Sequence, residues 1–288
     1  MSYKHYGEIG DIWKHLPLCE VITMERPTVY VETNSAYSQY SLDRTPAQEY
    51  GIFNVIGKAE AFPSLQESAY YKLIKPFVME GKYLGSPGLA MTFLNNITES
   101  FVFFDLEKEA LENITSFANE RNIHGQVRVI NKDSVSGLLE MLPTLPPSTF
   151  IHIDPYLIDD PNAEGKTYLD VFIKASVQGL KCFLWYGFET LNDKDYLNTL
   201  VRERLSEAQI TSAHCCELMM ESIQQNSVVC NPGVVGCGVL TSNLSSNANK
   251  AISEMADLVV ALYRGTSYDG FKGDLYKDII GNNDADFV

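Results

Sequence analysis

The sequence predicts an α/β fold built on a mostly parallel sheet, and three observations carry that reading. Short apolar runs alternate with segments of helical periodicity along most of the chain, the pattern of strand–helix–strand units. The helical segments have one apolar face; in LEKEALENITSFANERN (106–122), Leu111, Ile114 and Phe117 fall together. Five of the apolar runs stop at polar or aromatic residues, as strands do when their carboxyl ends form a binding edge. With 288 residues, the chain is long enough to bury one large core, and we read residues 1–288 as a single domain.

The elements follow in order. TVYVET (28–33) is the first strand. Residues 43–84 then break the alternation: QESAYYKLIKPFVMEG has helical spacing and no strand beside it, and reads as a small helical insertion. SFVFFDL (100–106) and QVRVINKD (126–133) flank the helix of residues 106–122, whose Glu107 and Glu109 sit near its start, where the helix dipole favours acids. TFIHIDPY (149–156) and LKCFLWYG (180–187) flank the helical KTYLDVFIKASVQGL (166–180). The helical DKDYLNTLVRERLSEAQ (193–209) leads to HCCELMM (214–220) and GCGVLTSN (236–243), two strands joined by a polar loop. A long helix (245–264) capped by Ser or Asn comes next. That makes seven strands, and the tail GNNDADFV is expected to fray.

Composition narrows the function. The chain has 22 Lys and Arg against 37 Asp and Glu, a net charge of −15, whereas proteins that grip nucleic acid show a basic footprint. RNA is therefore disfavoured as a partner. No apolar run approaches the roughly 20 residues that span a membrane, and MSYKHYGEIGDIWKH has no signal-peptide h-region. The six cysteines form no CxxC pair. A cytoplasmic protein with reduced thiols is expected. The spacing of His5 and His15 matches no ligand motif, so no metal is expected. There is no GxSxG and no Walker motif.

In open α/β sheets, ligands bind outside the carboxyl ends of the strands. The residues there are Glu32, Thr33 and Asn34; Asp105; Asp133 and Ser134; Asp154, Pro155 and Tyr156; and Trp185 and Tyr186. Acids at successive strand ends suit a nucleoside, one taking ribose hydroxyls and an Asp–Ser pair reaching an adenine edge; singly, each serves equally well as a helix cap. Asp154 can accept a hydrogen bond from an amine, and Tyr156 beside it can stack on a flat ring. Tyr3, His5, Lys14 and His15 crowd the first fifteen residues, a stretch that reads equally as an exposed tail. In YLGSPGLA (83–90), a Gly-Ser-Pro turn opens a helix whose amides suit a carboxylate, or Ser86 is a plain N-cap.

Taken in order, these segments resemble the RlmJ family, adenine-N6 methyltransferases of large-subunit ribosomal RNA. SYKH and GDIWKH are similar to the family's SYRH…ADVLKH, VYVETNSAYSQYSL to its first-strand motif, YLGSPGLA to its YPGSP turn, and IDPY to its IDPPY. LWYG resembles LWYP, and GVVGCGVLTSN the last-strand segment. The likeness runs thinly along most of the chain. It implies a class I, Rossmann-like fold that binds S-adenosylmethionine (SAM). His15, Asn34, Ser86, Asp105, Asp133 and Ser134 would line the SAM pocket, with Asp105 on the ribose. Asp154 would receive the target amine and Tyr156 its ring, with Tyr3 and Lys14 near the substrate. The chain departs from the pattern in three places. The first-strand turn carries Ser35, Ala36, Tyr37 and Ser38 where the family has glycines, Asn34 stands where the motif has a histidine, and one proline of the family's DPPY is missing. The expected activity is methyl transfer to a nitrogen of a small molecule or an adenine base. The alternatives are cyclisation or cleavage of SAM, and a non-catalytic relative that binds a nucleotide or a protein.

Overall fold

The computed structural model describes residues 5–224, 230–282 and 285–286. The chain opens with helix α1 (Ile9–Glu25), followed by strand β1 (Val29–Glu32) and β2 (Gln39–Ser41). Short helices α2 (Pro46–Gln48), α3 (Asn54–Lys58) and α4 (Pro63–Glu67) lead to α5 (Ala69–Met79) and β3 (Lys82–Leu84), which pairs with β2. Next come α6 (Ser86–Leu94), β4 (Ser100–Asp105), α7 (Lys108–Glu120), β5 (Val127–Asn131), α8 (Ser134–Met141) and β6 (Thr149–Ile153). Helix α9 (Tyr168–Val177), β7 (Lys181–Phe188), α10 (Leu191–Glu207), β8 (Ala213–Met220), α11 (Glu221–Gln224) and β9 (Gly236–Ser242) follow. The chain closes with α12 (Ser246–Tyr263), the small hairpin β10 (Ser267–Tyr268) and β11 (Phe271–Lys272), then β12 (Leu275–Asn282) and β13 (Ala285–Asp286).

The main sheet has the order β13-β12-β8-β9-β7-β6-β1-β4-β5. Strands β5, β4, β1, β6 and β7 pair in parallel; β9 is antiparallel to both β7 and β8. Counting its seven central strands by position in the chain gives 3-2-1-4-5-7-6 with the seventh reversed, the class I methyltransferase fold expected above. Alternation along the strands sends Tyr30, Phe101, Phe103, Phe150 and Phe183 into a core under α1, α5, α6, α7 and α12. Val31, Val102, Ile151, Ile153 and Leu184 go into the opposite core under α8, α9 and α10. Among the described residues no helix is long and apolar enough to cross a membrane.

Two elements correct the sequence reading. The sheet gains an eighth strand, β12, and the two-residue β13 at its edge. β12 runs antiparallel to β8 and covers backbone groups that would otherwise form an open edge. Its Asp278 accepts from Lys194 Nζ of α10 at 2.7 Å. The expected fraying of the tail fails for Gly281 and Asn282, which pair with Asp286 and Ala285; residues 283–284 and 287–288 lie outside the described residues. The second correction is α1, where an exposed tail was one reading. Ile9, Ile12, Trp13, Leu16, Leu18, Cys19, Val21 and Ile22 are all buried in it. A helix apolar nearly all round has no 3.6-residue stripe to detect, and Pro17 inside it reads as a breaker.

The close packing of α6 against the turn after β1 depends on glycine. A Cβ on Gly88 would stand 2.2 Å from Ser38 O, whereas one on Gly57 in α3 would meet nothing within 4 Å. Gly57→Ala is expected to stabilise the fold by about 0.5–1 kcal/mol through helix propensity. Gly88→Ala, although also in a helix, is expected to cost about 1–3 kcal/mol through overpacking. Urea unfolding of the two variants checks the contrast; equal effects would refute it.

Candidate functional site

The site is built on the turn after β1. Asn34 and Ala36 adopt left-handed conformations, φ 53° and 55°, and the amides of residues 35–39 are all engaged within the protein. Ser35 N donates to Phe104 O and Ala36 N to Asp105 Oδ2 at 2.8 Å. Tyr37 N donates to Tyr40 OH, and Ser38 N and Gln39 N to Asn113 Oδ1. Gly85 N donates to Ser38 O, and a Cβ on Gly85 would collide with Tyr37 O at 2.2 Å. The glycines that permit close approach thus lie on the α6 segment. Tyr37 stacks on Tyr40, which stacks on Tyr6 with centroids 4.4 Å apart.

Beneath the turn, Glu32 is fully buried. Its Oε1 accepts from Ser86 Oγ at 2.5 Å and its Oε2 from Tyr30 OH at 2.9 Å; His152 Nδ1 lies 3.2 Å from the same phenol. Ser86 is therefore not the helix cap: Gly85 holds that position, and the serine hydroxyl turns inward to Glu32.

Helix α1 delivers Lys14 and His15. Lys14 Nζ donates to Asp154 Oδ2 at 2.8 Å, lies 3.2 Å from Asp11 Oδ1 and sits 5.2 Å from the Trp185 ring centre. Burial alone would lower the ammonium's pKa, but Asp154 and Asp11 outweigh it and hold it above the ordinary lysine range. Burial pushes the Asp154 carboxyl up, with Lys14 and His152 opposing. Burial, with help from Lys14 and His152, drives the His15 imidazole well below its usual value, so it is neutral at neutral pH. His15 Nδ1 is 2.9 Å from Tyr83 OH, and its Nε2 is buried without a hydrogen-bond partner. At the end of β6, Asp154 N donates to Thr33 Oγ1, and the Tyr156 ring lies against Gly187 of β7. The Tyr156 hydroxyl, pushed up to about 12 by burial and Glu189, donates to Glu189 Oε1 at 3.4 Å.

Two cavities open along this edge. The larger, about 550 Å³, is lined by Lys14, His15, Asn34, Tyr37, Ser86, Asp154, Tyr156 and Trp185, with Glu8, Asp11 and Glu189 on its wall. The smaller, about 180 Å³, is lined by Asn34, Asp105, Glu107, Lys132, Asp133, Ser134 and Tyr168. Asn34 belongs to both, and its Oδ1 accepts from Ser134 Oγ at 3.2 Å. The structure so brings together nine of the ten residues given a cofactor or substrate role from the sequence; Tyr3 lies outside the described residues. Asp133 serves as a cap too, accepting from Ser136 N at the start of α8. Tyr186 departs from the strand-end group: it points into the opposite core and donates to Glu217 Oε1 at 2.6 Å. Glu8, Asp11, Glu189 and His152 were missed; Asp11 stands three residues before Lys14, a helical spacing visible only once α1 is known. Among the described residues, no group of three His, Cys, Asp or Glu could hold a metal ion.

No protein-family model matches the sequence, and no curated protein matches it. Among solved structures, the chain is similar to a Legionella pneumophila protein described by the family model DUF519. They share a TM-score of 0.74 and 22 % identity over 98 % of this chain and 100 % of that one. An rRNA methylase from Streptococcus thermophilus has a TM-score of 0.42 and 11 % identity over 81 % of this chain and 95 % of its own. An O-methyltransferase from Bacillus cereus in complex with SAH has 0.41 and 11 % over 80 % of both chains. The likeness at TM-score 0.74 carries the fold along almost the whole chain, and at that identity it speaks to fold alone.

The ion pair makes its own prediction. Lys14→Met leaves Asp154 buried without its cation, so the carboxyl moves further up. A carboxyl with a raised folded-state pKa adds stability below its unfolded value and loses it as pH rises through the folded one. The variant is therefore expected to lose about 3–5 kcal/mol near pH 7 and to recover toward the parent protein as the pH falls to about 5. Urea midpoints at the two pH values check this; a penalty that does not shrink on acidification would count against it.

Proposed function

We propose that the chain is a SAM-dependent methyltransferase that transfers a methyl group to a nitrogen of its acceptor. The carrying observation is the chemistry of the edge: every amide of residues 35–39 already has an acceptor, and carboxylates outnumber lysines on both cavity walls. A phosphate would find neither an amide cradle nor an unpaired lysine there. A nucleoside with a positively charged sulfur suits the same walls, so the residues present fit SAM.

SAM, when bound, supplies a methyl group on a sulfonium, whose sulfur keeps the bonding electron pair as the acceptor nitrogen takes the methyl. Asp105, which accepts from Ala36 N and Glu107 N, would hold the ribose hydroxyls. Asp133 and Ser134 would face the adenine, and Asn34 and the backbone of Ser86 the methionyl end. Lys14 fixes Asp154 by occupying Oδ2, which leaves Oδ1 to accept the N–H of the amine and to take the proton it sheds. Burial, by raising the carboxyl's pKa, suits Asp154 to receive that proton. Tyr156 would lie beside a flat acceptor ring. Orientation of this kind can contribute roughly 7–11 kcal/mol to a barrier.

Calorimetry with SAM tests the reading, and absence of binding would sink it. Asp105→Ala is expected to weaken SAM binding by about tenfold or more. Asp154→Asn is expected to slow formation of the SAM-derived thioether by about 10²-fold or more while SAM affinity stays within about tenfold. Methylthioadenosine accumulating without acceptor would replace methyl transfer by cleavage or cyclisation of SAM.

A further inference from the structure

We propose that the acceptor is a cationic amine, free or carried on a basic peptide, held by the carboxylates around the larger cavity. This deepens the reading of that cavity as the acceptor side of a SAM site. Four carboxylates line it: Glu8, Asp11, Asp154 and Glu189. Lys14 faces two of them and is spent, with Asp154 at 2.8 Å and Asp11 at 3.2 Å. His5, which lines the same cavity, lies 3.2 Å from Glu8. Glu189, at the mouth, is exposed and touches only the Tyr156 hydroxyl, at 3.4 Å. A phosphodiester entering here would meet uncompensated negative charge, and a cation would be drawn in.

A second observation is independent of charge. His15 is 1 % exposed, and its Nε2 is sealed from solvent with no hydrogen-bond partner; Asp11 Oδ1, at 4.0 Å, is beyond hydrogen-bond range. The residue is on the wall of the same cavity. In the tautomer that donates from Nδ1 to Tyr83, with Tyr83 donating on to Tyr70 at 3.1 Å, Nε2 presents a lone pair. An amine N–H satisfies that atom, and a phosphate oxygen does not. Aromatic faces complete the fit. Lys14 already rests over Trp185, and Tyr156, 39 % exposed, offers a second ring to a cation.

The test is calorimetric titration of the full chain, saturated with the demethylated cofactor, with three probes: spermidine, a Lys- and Arg-rich peptide, and an adenine-containing single-stranded RNA. Parent and Glu189→Gln proteins are compared, with circular dichroism confirming that both are folded. The expected result is binding of spermidine or the peptide, weakened about threefold to tenfold in Glu189→Gln and weakened again by added salt. Spermidine binding points to a free amine; binding of the peptide alone points to a chain-borne one. RNA binding tighter than both cations, no cation binding, or cation binding indifferent to Glu189→Gln would overturn the proposal. A bound cation that yields no thioether from SAM would leave this inference standing and remove methyl transfer instead.

Discussion

A single buried ammonium holds the carboxyl edge of the sheet together. Lys14 comes from the first helix and Asp154 from the end of β6, 140 residues later, and neither tolerates burial without the other. An isolated charge in such a place would cost several kcal/mol, and a paired one far less. The pair therefore fixes where α1 lies, and α1 in turn places His15 and Asp11 on the cavity wall. Remove the ammonium and two carboxylates at this edge, Asp11 and Asp154, lose the lysine they share. Glu32 has its own support from Tyr30 and Ser86, so the edge is a layered network: a hydroxyl-satisfied acid below and an ion-paired acid above.

The turn after β1 solves a steric problem in an unusual place. Close approach between this turn and its neighbour requires missing Cβ atoms on one side. In this chain the missing atoms are those of Gly85 and Gly88, and the turn itself carries side chains. Asn34 and Ala36 then sit in left-handed conformations that cost roughly 1–2 kcal/mol for a residue with a Cβ. Five internally satisfied amides offset that strain, each net hydrogen bond contributing about 1 kcal/mol. The consequence is that residues 35–39 have no backbone amide left for a phosphate.

Much of this was legible in the sequence wherever a local pattern decides the outcome. The seven central strands and the helices between them follow from alternation and one-sided periodicity. Helix α1 escaped because it is buried all round, with Lys14 spending its charge internally. Strand β12 escaped because its partner β8 lies 55 to 65 positions earlier in pairing register, and nothing local marks an edge that needs covering. At the site, residue types at strand ends were readable, but directions were not. Trp185 and Tyr186 are neighbours on one strand, and the two-residue period sends one to the cavity and the other to Glu217. Ser86 looks like a ligand-facing cap and spends its hydroxyl on Glu32. Pairings across the fold are tertiary facts, and a spacing cannot contain them.

The charge of the edge has a chemical logic that runs through a whole catalytic cycle. In the proposed reaction the amine nitrogen first sheds a proton to free its lone pair, and the methyl transfer that follows carries positive charge from sulfur to that nitrogen. A wall of carboxylates is therefore complementary to reactants, transition state and methylated acceptor alike. Two unit charges about 4 Å apart interact by roughly 4 kcal/mol at the effective dielectric of a partly buried site, and by about 1 kcal/mol in water. Uniform attraction of that kind aids binding more than turnover. In the proposed reaction, rate acceleration would come from orientation by the oxygen of Asp154 that Lys14 leaves unoccupied. The proposed division of labour follows burial. Glu189, exposed, would act at a distance and be screened by salt, so it would govern which molecules arrive. Asp154, 9 % exposed in its side chain and locked by an ammonium, would be screened little and would govern how an arriving nitrogen is held.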